Sequence, residues 1–403
     1  MRKPLIFLKS SVLFHFFLDT EGDFWYNRKK YARREPGGVF STFLNNLWKG
    51  LTKLQTKVSI VMPVYNGGSL MQQMLDSLCR QTFEDFELIV VDDGSTDDTA
   101  LNLARYAEKE PRLRPFTVPN GGPARARNFG IGKAEGEYLY LCDADDLPEP
   151  NLLESLVREM DKGAELAACG FVEERETEGK VTASSVFTAP AVSCKNHGEF
   201  LKALPALMEK QLMHVNWNKM YRMDIIRREN IAFIEKYASC EDRLFNLAYF
   251  PFVEKFTFLP DALFHYYLRG SSLTSKFLPS KYESLECFDR TLNGLYENSG
   301  ALTDEVRAVN ARIFVKGAVA CLISLRQPTC KLTGTEKKAF IREMLQSRSL
   351  ENALSHLSGG VQFKVIGLLL KTGSVSLARL LGWAADFAGR RLPGLLHKLK
   401  HRS

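Results

Sequence analysis

The hydrophobic pattern in the first half of the chain consists of three short apolar runs, each followed by polar or acidic residues. The runs are residues 58–64, 86–91 and 138–142, and they are rich in Val, Ile and Leu without alternation. Such runs indicate strands that are buried on both faces, as in a parallel sheet. The intervening stretches are helix-like, which gives a β-α-β-α-β order. The pattern therefore predicts an α/β fold around a mainly parallel central sheet.

Polar residues gather where these predicted strands end. In open α/β sheets the ligand binds beyond the carboxyl ends of the strands. The residues at these ends are Tyr65, Asn66, Asp92, Asp93, Asp143 and Asp145. Carboxylates gathered in one place are costly unless a cation or a ligand compensates their charge. The sequence therefore predicts a ligand site at this edge of the sheet.

The Asp143-Ala144-Asp145 triplet has the spacing of a cation site. Alternate residues of an extended chain point to the same side, so both carboxylates can share one ion. Oxygen ligands of this kind suit Mn²⁺ or Mg²⁺, usually together with phosphate oxygens.

A glycine-rich segment at 120–128 predicts an anion-binding turn. The glycines allow backbone to approach a ligand, and Pro123 favours the start of a helix. A helix N-terminus with Arg125 and Arg127 nearby suits an anion. Ordinary arginines on a helix surface are the alternative.

These motifs, in this order, resemble family 2 of the inverting glycosyltransferases, which have the GT-A fold. The resemblance spans roughly residues 58–272 and includes a later acidic pair, Glu241-Asp242. It implies a GT-A catalytic domain over 58–275, an N-terminal extension over 1–57 and a C-terminal helical region over 276–403. The donor it implies is a nucleotide-diphosphate sugar, with UDP as the expected nucleotide.

The resemblance also implies roles for particular residues. Asp145 is the expected main metal ligand, assisted by Asp143, and Asp93 is expected to bind the nucleotide base. The complete set expected to contact the donor is Pro63, Tyr65, Asn66, Asp92, Asp93, Arg127, Asp143 and Arg269. His265 is an alternative to Arg269 for the diphosphate, and a packed aromatic strand with a surface arginine is the alternative to both.

The acidic pair is expected to carry the catalytic step. An inverting transfer is a direct displacement, so a general base must take the proton of the acceptor hydroxyl. The resemblance implies that Asp242 is this base, with Glu241 as the alternate, and helix capping is the alternative role.

The segment around Trp217 is expected to form the acceptor side. Trp217, Lys219, Tyr221 and Arg222 match the family pattern. An exposed indole could pack against a sugar, whereas a buried Trp217 would belong to the core.

Together these features predict transfer of a sugar to a hydroxyl of a glycan or lipid-linked acceptor, in the synthesis of cell-surface polysaccharide or glycolipid. A catalytically inactive binding or scaffold subunit with the same fold is the alternative. A nucleotidyltransferase is less favoured because Asn66-Gly67-Gly68 lacks the lysine of a phosphate loop.

The ends of the chain suggest contact with a membrane surface. Helical spacing is expected over 282–296, 304–326 and 335–346, followed by an apolar stripe beginning at Leu377 and a basic tail. This stripe fits either an anionic membrane or a partner helix. No apolar run is long enough to span a bilayer.

Composition narrows the setting. The net charge of +7 is too modest for a dedicated nucleic-acid binder, and no nucleic-acid partner is expected. The eight cysteines show no zinc spacing, which favours reduced thiols in a cytoplasmic protein. The expected location is the cytoplasm or, for a peripheral protein, the inner face of the plasma membrane.

Overall fold

The computed structural model describes residues 56–269 and 276–391, with the side chains of 389–391 excluded. The aromatic and basic part of the expected N-terminal extension, residues 1–55, and the basic tail from 392 lie outside the described residues. The boundaries expected at 57/58 and 275/276 stay predictions.

The described part of the chain is built on a ten-stranded sheet whose strand order is β3-β2-β1-β4-β9-β6-β10-β5, with β7 beside β6 and β8 beside β10. The strands are β1 (Val58–Val64), β2 (Phe86–Asp92), β3 (Leu113–Thr117), β4 (Tyr138–Leu141), β5 (Leu147–Pro148), β6 (Leu166–Thr177), β7 (Lys180–Phe187), β8 (Val192–Cys194), β9 (Lys219–Arg222) and β10 (Phe256–Leu268).

The first four strands in space, β3, β2, β1 and β4, are all parallel. Strand β9 then runs antiparallel to both β4 and β6, and β6 is parallel to β10. The prediction of a mainly parallel sheet is therefore confirmed for the half that contains the three apolar runs, and the other half is mixed. Every residue of β1 and β2 is buried, which explains their mainly apolar pattern; the polar residues Ser59 and Glu87 within them are hydrogen-bonded to each other at 2.6 Å.

Thirteen helices of the described residues surround the sheet and follow it. They are α1 (Gly68–Cys79), α2 (Thr99–Ala107), α3 (Pro123–Lys133), α4 (Leu152–Asp161), α5 (His197–Glu209), α6 (Met223–Arg228), α7 (Glu241–Tyr249), α8 (Lys281–Asn298), α9 (Asp304–Ser324), α10 (Gly334–Leu345), α11 (Arg348–His356), α12 (Val361–Lys371) and α13 (Val375–Arg391). A short 3₁₀ helix, Phe250–Phe252, follows α7.

Helix α3 lies unusually close to the centre of the sheet because Gly130 has no side chain. A Cβ atom at Gly130 would lie 2.4 Å from a methyl carbon of Val61 on β1. This approach brings the first turn of α3, with its arginines, to the carboxyl ends of β1 and β2.

The helices expected after residue 276 are confirmed as α8, α9 and α10. The C-terminal helices pack on the sheet-bearing part partly through an ion pair between α9 and α5. Arg312 donates from Nε and Nη2 to the two carboxylate oxygens of Glu209, at 2.5 and 2.9 Å. Among the described residues, none of the helices combines the length and apolar character needed to cross a membrane.

Candidate active site

The loops that follow β1 and β2 are joined by Asn66. Its backbone N–H donates to the Ser95 hydroxyl, and its Oδ1 accepts from the backbone N–H of Thr96, both over short distances of 2.8 and 2.9 Å. Asn66 has a positive φ of 51°, which asparagine tolerates better than most residues. Tyr65 beside it is 52% exposed, so its ring is available to a ligand.

The two aspartates after β2 have different environments. Asp93 accepts from the backbone N–H groups of Gly121 and Gly122, both at 2.8 Å, and thereby holds the glycine-rich turn against β2. Asp92 accepts from Ser95 N–H through Oδ1, whereas its buried Oδ2 has no protein hydrogen-bond partner. An unpartnered buried carboxylate oxygen is costly, so Asp92 is well suited to accept from a ligand hydroxyl. Base binding by Asp93 stays a prediction.

Pro63 is buried within β1, one residue before the strand ends. The exposed residues that follow it, rather than its ring, offer the surface on which a nucleotide could pack. A donor contact at Pro63 also stays a prediction.

Arg127 is the buried link between the two halves of the site. Its side chain is 4% exposed, and Nη2 donates to Asp143 Oδ1 at 2.6 Å. Nη1 lies 3.3 Å from Asp242 Oδ1 and 3.6 Å from Glu241 Oε1. Burial lowers the pKa of Arg127, but the three carboxylates outweigh this effect and raise it above its ordinary value. The sequence placed Arg127 on the donor side, and the structure adds its contact with the acidic pair.

Phe233 contacts Arg127, and Asn128 in turn holds Phe233 in place. The guanidinium lies over the Phe233 ring, 5.2 Å from its centroid. Asn128 fixes Phe233 by donating to its carbonyl at 3.0 Å and accepting from its N–H at 2.8 Å. The alternative of a solvated surface arginine is therefore wrong for Arg127.

The three aspartates after β4 differ in exposure. Asp143 is 28% exposed and Asp145 is 47% exposed, whereas Asp146 is buried and accepts from Tyr267 N–H at 2.9 Å. Partial burial, and then the charge of Asp143, raise the pKa of Asp145 to about 6, against the opposing effect of Arg269. Burial also raises the pKa of Asp146 well above its ordinary value.

Arg269, the residue that follows β10, contacts Asp145. It donates from Nη1 to the Asp145 carbonyl oxygen, and Nη1 lies 3.9 Å from Asp145 Oδ2. It also pairs with Glu176 at 3.1 Å. His265 lies instead between Glu149 and Glu174, at 2.9 and 3.2 Å. Arg269 is thus the better placed of the two for a diphosphate at Asp145.

Asp143 and Asp145 fit a divalent cation that arrives with a diphosphate. Both offer oxygen ligands, and their mutual repulsion, visible in the pKa of Asp145, would be relieved by a cation. Across 56–269 and 276–391, no cluster of three or more His, Cys, Asp or Glu residues could hold a metal. Mg²⁺ and Mn²⁺ at nucleotide sites commonly use one or two carboxylates and complete their coordination with phosphate and water.

Asp242 is the second residue of α7 and faces Arg127. Its side chain is 19% exposed, and Oδ1 accepts from Asn216 Nδ2 at 2.9 Å. Burial raises the pKa of Asp242 to about 7, with Arg127 and Lys219 opposing the shift and Glu241 and Asp143 adding to it. A carboxylate with a pKa near neutrality is a suitable general base.

The loop over residues 212–218 that carries Asn216 is pinned by buried donors. Lys219 donates from Nζ to the carbonyl oxygens of Leu212 and Val215 at 2.9 and 2.6 Å, and to Asn218 Oδ1 at 2.7 Å. Asn246 on α7 also donates to Val215, at 3.0 Å. Asn216 is therefore held in place by the loop as well as by its own bond to Asp242.

The expectation that Trp217, Lys219 and Tyr221 line the acceptor side is wrong. Trp217 is 2% exposed, and its ring stacks on Phe264 at a centroid distance of 4.5 Å. Lys219 is fully buried, and Tyr221 donates to Asn246 within the core. All three side chains therefore belong to the core, and the alternative that Trp217 is a core residue is confirmed. Arg222 pairs with Asp224 at 2.9 Å at the end of β9.

Asn216 was missed by the sequence reasoning. It lies one residue before Trp217, and nothing in its type distinguishes it from other asparagines. The signal was its place in a motif segment that precedes the acidic pair.

Fold and site define the class of protein. The profile described as "Glycosyl transferase family 2" matches residues 59–229, so these residues form a family 2 glycosyltransferase domain. The suspected resemblance and the GT-A fold are thereby confirmed.

Several relatives share this domain. The glycosyltransferase EpsJ of Bacillus subtilis is 30% identical over 57% of this chain and 66% of its own length. Poly(ribitol-phosphate) beta-N-acetylglucosaminyltransferase TarS of Staphylococcus aureus is 27% identical over 58% of this chain and 38% of its own length. The crystal structure of S. aureus TarS 1–349 in complex with UDP-GlcNAc matches with a TM-score of 0.59 at 21% identity, covering 83% of this chain and 92% of that one.

Proposed function

We propose that this protein transfers a sugar, with inversion, from a UDP-sugar to a hydroxyl of a glycan or lipid-linked acceptor in the synthesis of a cell-surface polymer or glycolipid. The observation that carries the proposal is the Arg127 cluster. One buried guanidinium contacts Asp143, at the expected donor site, and Asp242, the expected base. A donor carboxylate and a base are thus held within one salt-bridge network.

In the proposed reaction, Asp242 accepts the proton of the acceptor hydroxyl while that oxygen attacks the anomeric carbon. The bond from the anomeric carbon to the diphosphate breaks, and the nucleoside diphosphate leaves with the electron pair. Arg127 fixes the separation between Asp143 and Asp242, and Asn216 orients the carboxylate of Asp242. Glu241 is the alternate base, since it lies 3.6 Å from the same guanidinium.

Asp145 and Asp143 would hold a Mn²⁺ or Mg²⁺ ion, and Arg269 would face the diphosphate. A bound cation supplies Lewis-acid stabilisation of the negative charge that develops on the leaving group. Tyr65, Asn66, Asp92 and Asp93 would contact the nucleoside.

The donor and acceptor are proposed partly from relatives. TarS is named as a poly(ribitol-phosphate) β-N-acetylglucosaminyltransferase and has been crystallised with UDP-GlcNAc and with UDP. We therefore propose UDP as the nucleotide and a hydroxyl-rich polymer or its lipid-linked precursor as the acceptor. The proposed place of action is the cytoplasmic side of the membrane.

The test is nucleotide binding followed by turnover. Thermal unfolding is measured with UDP, GDP, CDP and dTDP, each with and without Mn²⁺, on the wild type and Asp145→Ala. A ligand at about 100 times its dissociation constant stabilises the folded protein by about 2.7 kcal/mol. We expect a metal-dependent shift with UDP that Asp145→Ala loses.

Asp85→Ala is the matched control, because Asp85 is an exposed aspartate just before β2, at the opposite end of the strand from Asp92. It should keep the full shift with UDP. Stabilisation by UDP without any UDP release from UDP-sugars would support the inactive binding subunit instead. If none of the four nucleotides stabilised the protein, both the transferase and the inactive binding subunit would be contradicted.

A further inference from the structure

Helices α12 and α13 expose apolar side chains that the proposed reaction does not use. Among the described residues, eleven large apolar side chains are exposed, and six of them lie on these two helices. They are Val361, Val365, Leu368, Leu380, Trp383 and Phe387. We call these six side chains the α12–α13 apolar surface.

The spacing of these residues places each set on one side of its helix. Val361, Val365 and Leu368 follow the i, i+4, i+7 spacing of a single stripe, and the α13 residues follow i, i+3, i+7. The opposite sides are buried, as at Phe363 on α12 and Ala378 on α13. Both helices are therefore docked on the protein by one side and expose a second apolar stripe on the other.

The aromatic pair on α13 has the character of a bilayer interface. Trp383 and Phe387 are 46% and 48% exposed, and their rings stack at a centroid distance of 5.5 Å. Exposed Trp is favoured at the boundary between headgroups and acyl chains because its ring is apolar and its N–H is polar. Neither helix is long and apolar enough to cross a membrane, so the surface would lie in the interface.

The charge of the segment that contains this surface indicates what kind of partner binds there. Residues 357–403 contain eight Lys or Arg and one acidic residue, Asp386, for a net charge of +7. Asp386 is 8% exposed and pairs with Arg326 at 3.0 Å, so it faces the protein. Among the described side chains of this segment, the exposed charged ones are Lys364, Lys371 and Arg379, all of them positive, and such charge attracts an anionic surface.

The same positive charge argues against two alternative occupants of this surface, a second copy of the protein and residues 1–55. A second copy that paired the same surfaces would bring two segments of +7 together. Residues 1–55 contain ten Lys or Arg and four acidic residues, a net charge of +6 that does not complement that of the segment. An anionic phospholipid bilayer satisfies both the apolar side chains and the charge.

We propose that the α12–α13 apolar surface docks the protein on an anionic phospholipid bilayer, with Trp383 and Phe387 inserted at the headgroup boundary. Lys364, Lys371 and Arg379, which are exposed on the same two helices, would contact lipid phosphates. This inference does not depend on the sugar donor or on Asp242.

The experiment is flotation of the full-length protein with vesicles of phosphatidylcholine that contain about 30% phosphatidylglycerol. Vesicles of phosphatidylcholine alone serve for comparison. The variant is Trp383→Ser with Phe387→Ser, and the matched control is Val181→Ser with Val186→Ser, which removes two equally exposed apolar side chains from β7. We expect binding to anionic vesicles to weaken about tenfold or more in the first variant and to be unchanged in the control.

Brominated acyl chains locate the inserted residue. They should quench tryptophan fluorescence in the wild type and less in Trp383→Phe, which keeps an aromatic ring. Equal vesicle binding by wild type and the Trp383/Phe387 double variant would overturn the proposal, as would no binding by the wild type. Self-association of the wild type that the same variant abolishes, without vesicle binding, would show a second copy as the occupant. Because the assay contains no nucleotide or sugar, its failure is distinguishable from failure of the proposed reaction.

Discussion

At the residue scale, the chemistry depends on where positive charge is placed among carboxylates. Arg127 is surrounded by Asp143, Glu241 and Asp242, and its guanidinium is almost inaccessible to water. Removing one partner of a buried charge pair leaves the other uncompensated. Substitution of Arg127 would therefore disturb folding and catalysis together, so the separate carboxylates give clearer tests.

Asp242→Asn should lower the rate of sugar transfer by about 10²–10⁴-fold, the usual contribution of a general base. Donor binding should be kept, because Asp242 contacts a different nitrogen of Arg127 from the proposed donor-side carboxylate, Asp143. In the wild type, a base must be unprotonated to act, and burial raises the pKa of Asp242 to about 7. Activity should therefore fall as the pH drops below about 7.

The measurement is the pH profile of UDP release, together with UDP-induced stabilisation of both proteins. A rate in Asp242→Asn within a few-fold of the wild type would assign the base to Glu241 or another group. Glu241→Gln is the paired variant that identifies the alternate.

Asn216→Ala should move the acidic limb of the pH profile upward by about one pH unit. Asn216 Nδ2 donates to Asp242, and a hydrogen bond to the charged form of a carboxyl favours that form. Without it, the pKa of Asp242 rises and a smaller fraction is ionised at neutral pH. Asn352→Ala, at an exposed position of α11, is the control. A lower rate with an unmoved pH profile would contradict a role in positioning and charge.

Residue types could be predicted from the sequence better than residue surroundings. Asp143 and Asp145 could be singled out because they follow a buried apolar run, and Asp242 because Glu241-Asp242 matches the family pattern. Trp217 and Lys219 could not be placed, because a motif shows which side chains are present and not which way they point. The role of Asn216 depends on the conformation of the loop over residues 212–218. Hydrogen bonds from the buried Lys219 to carbonyl oxygens of this loop fix that conformation.

At the element scale, the start of α7 is under backbone strain. Cys240, immediately before Glu241 and Asp242, has φ +61°, a left-handed conformation that favours glycine. Such strain costs roughly 1 kcal/mol and is found preferentially at functional sites. It sets the direction in which the chain enters the helix that carries the acidic pair.

Cys240→Gly should raise the free energy of unfolding by about 0.5 kcal/mol, because relief of strain slightly exceeds the added entropy of the unfolded chain. Cys240→Ala removes the thiol but keeps the Cβ atom, so it should retain the wild-type strain. Chemical denaturation of the three proteins is the measurement. A Gly variant that is about 0.4–1 kcal/mol less stable than the Ala variant, the usual entropic cost of glycine, would show that the backbone at 240 is unstrained.

The strands show why the position of a strand in the sequence was easier to predict than the strands with which it pairs. The runs that became β1, β2 and β4 are buried on both faces and therefore mainly apolar. Strand β9 has only four residues and pairs antiparallel with β4 and β6. Its position depends on contacts between distant segments, which no local periodicity records.

At the scale of the whole molecule, the C-terminal helices are tied to the sheet-bearing part by Arg312 and Glu209. The pair is forked, with two hydrogen bonds between α9 and α5. Arg312 is 16% exposed and Glu209 is 35% exposed, so solvent screens part of the attraction. The bonds from Arg312 lower the pKa of Glu209.

Arg312→Gln should lower the free energy of unfolding by about 1 kcal/mol at neutral pH after allowance for screening. Because the folded pKa of Glu209 lies below its ordinary value of 4.5, the contribution is present above that pH. It should be lost as the pH falls further and Glu209 becomes protonated.

Denaturation of wild type and Arg312→Gln at several pH values gives this difference directly. Arg228→Gln is the control, because it breaks an exposed pair with the adjacent Glu229 and should have little effect. A stability difference that does not shrink in acid would mean that Arg312 acts through packing rather than through Glu209.

The Arg127 cluster also has a consequence for the order in which the chain is made. Synthesis delivers Arg127 and Asp143 first, and Glu241 and Asp242 only after β6, β9 and the loop between them. A nascent chain that ends before residue 241 therefore contains the proposed donor-side carboxylate and an arginine that still lacks two of its three carboxylates. The proposed base thus joins the chain after Arg127 and Asp143, and a chain that ends before residue 241 has neither member of the acidic pair with which to activate an acceptor.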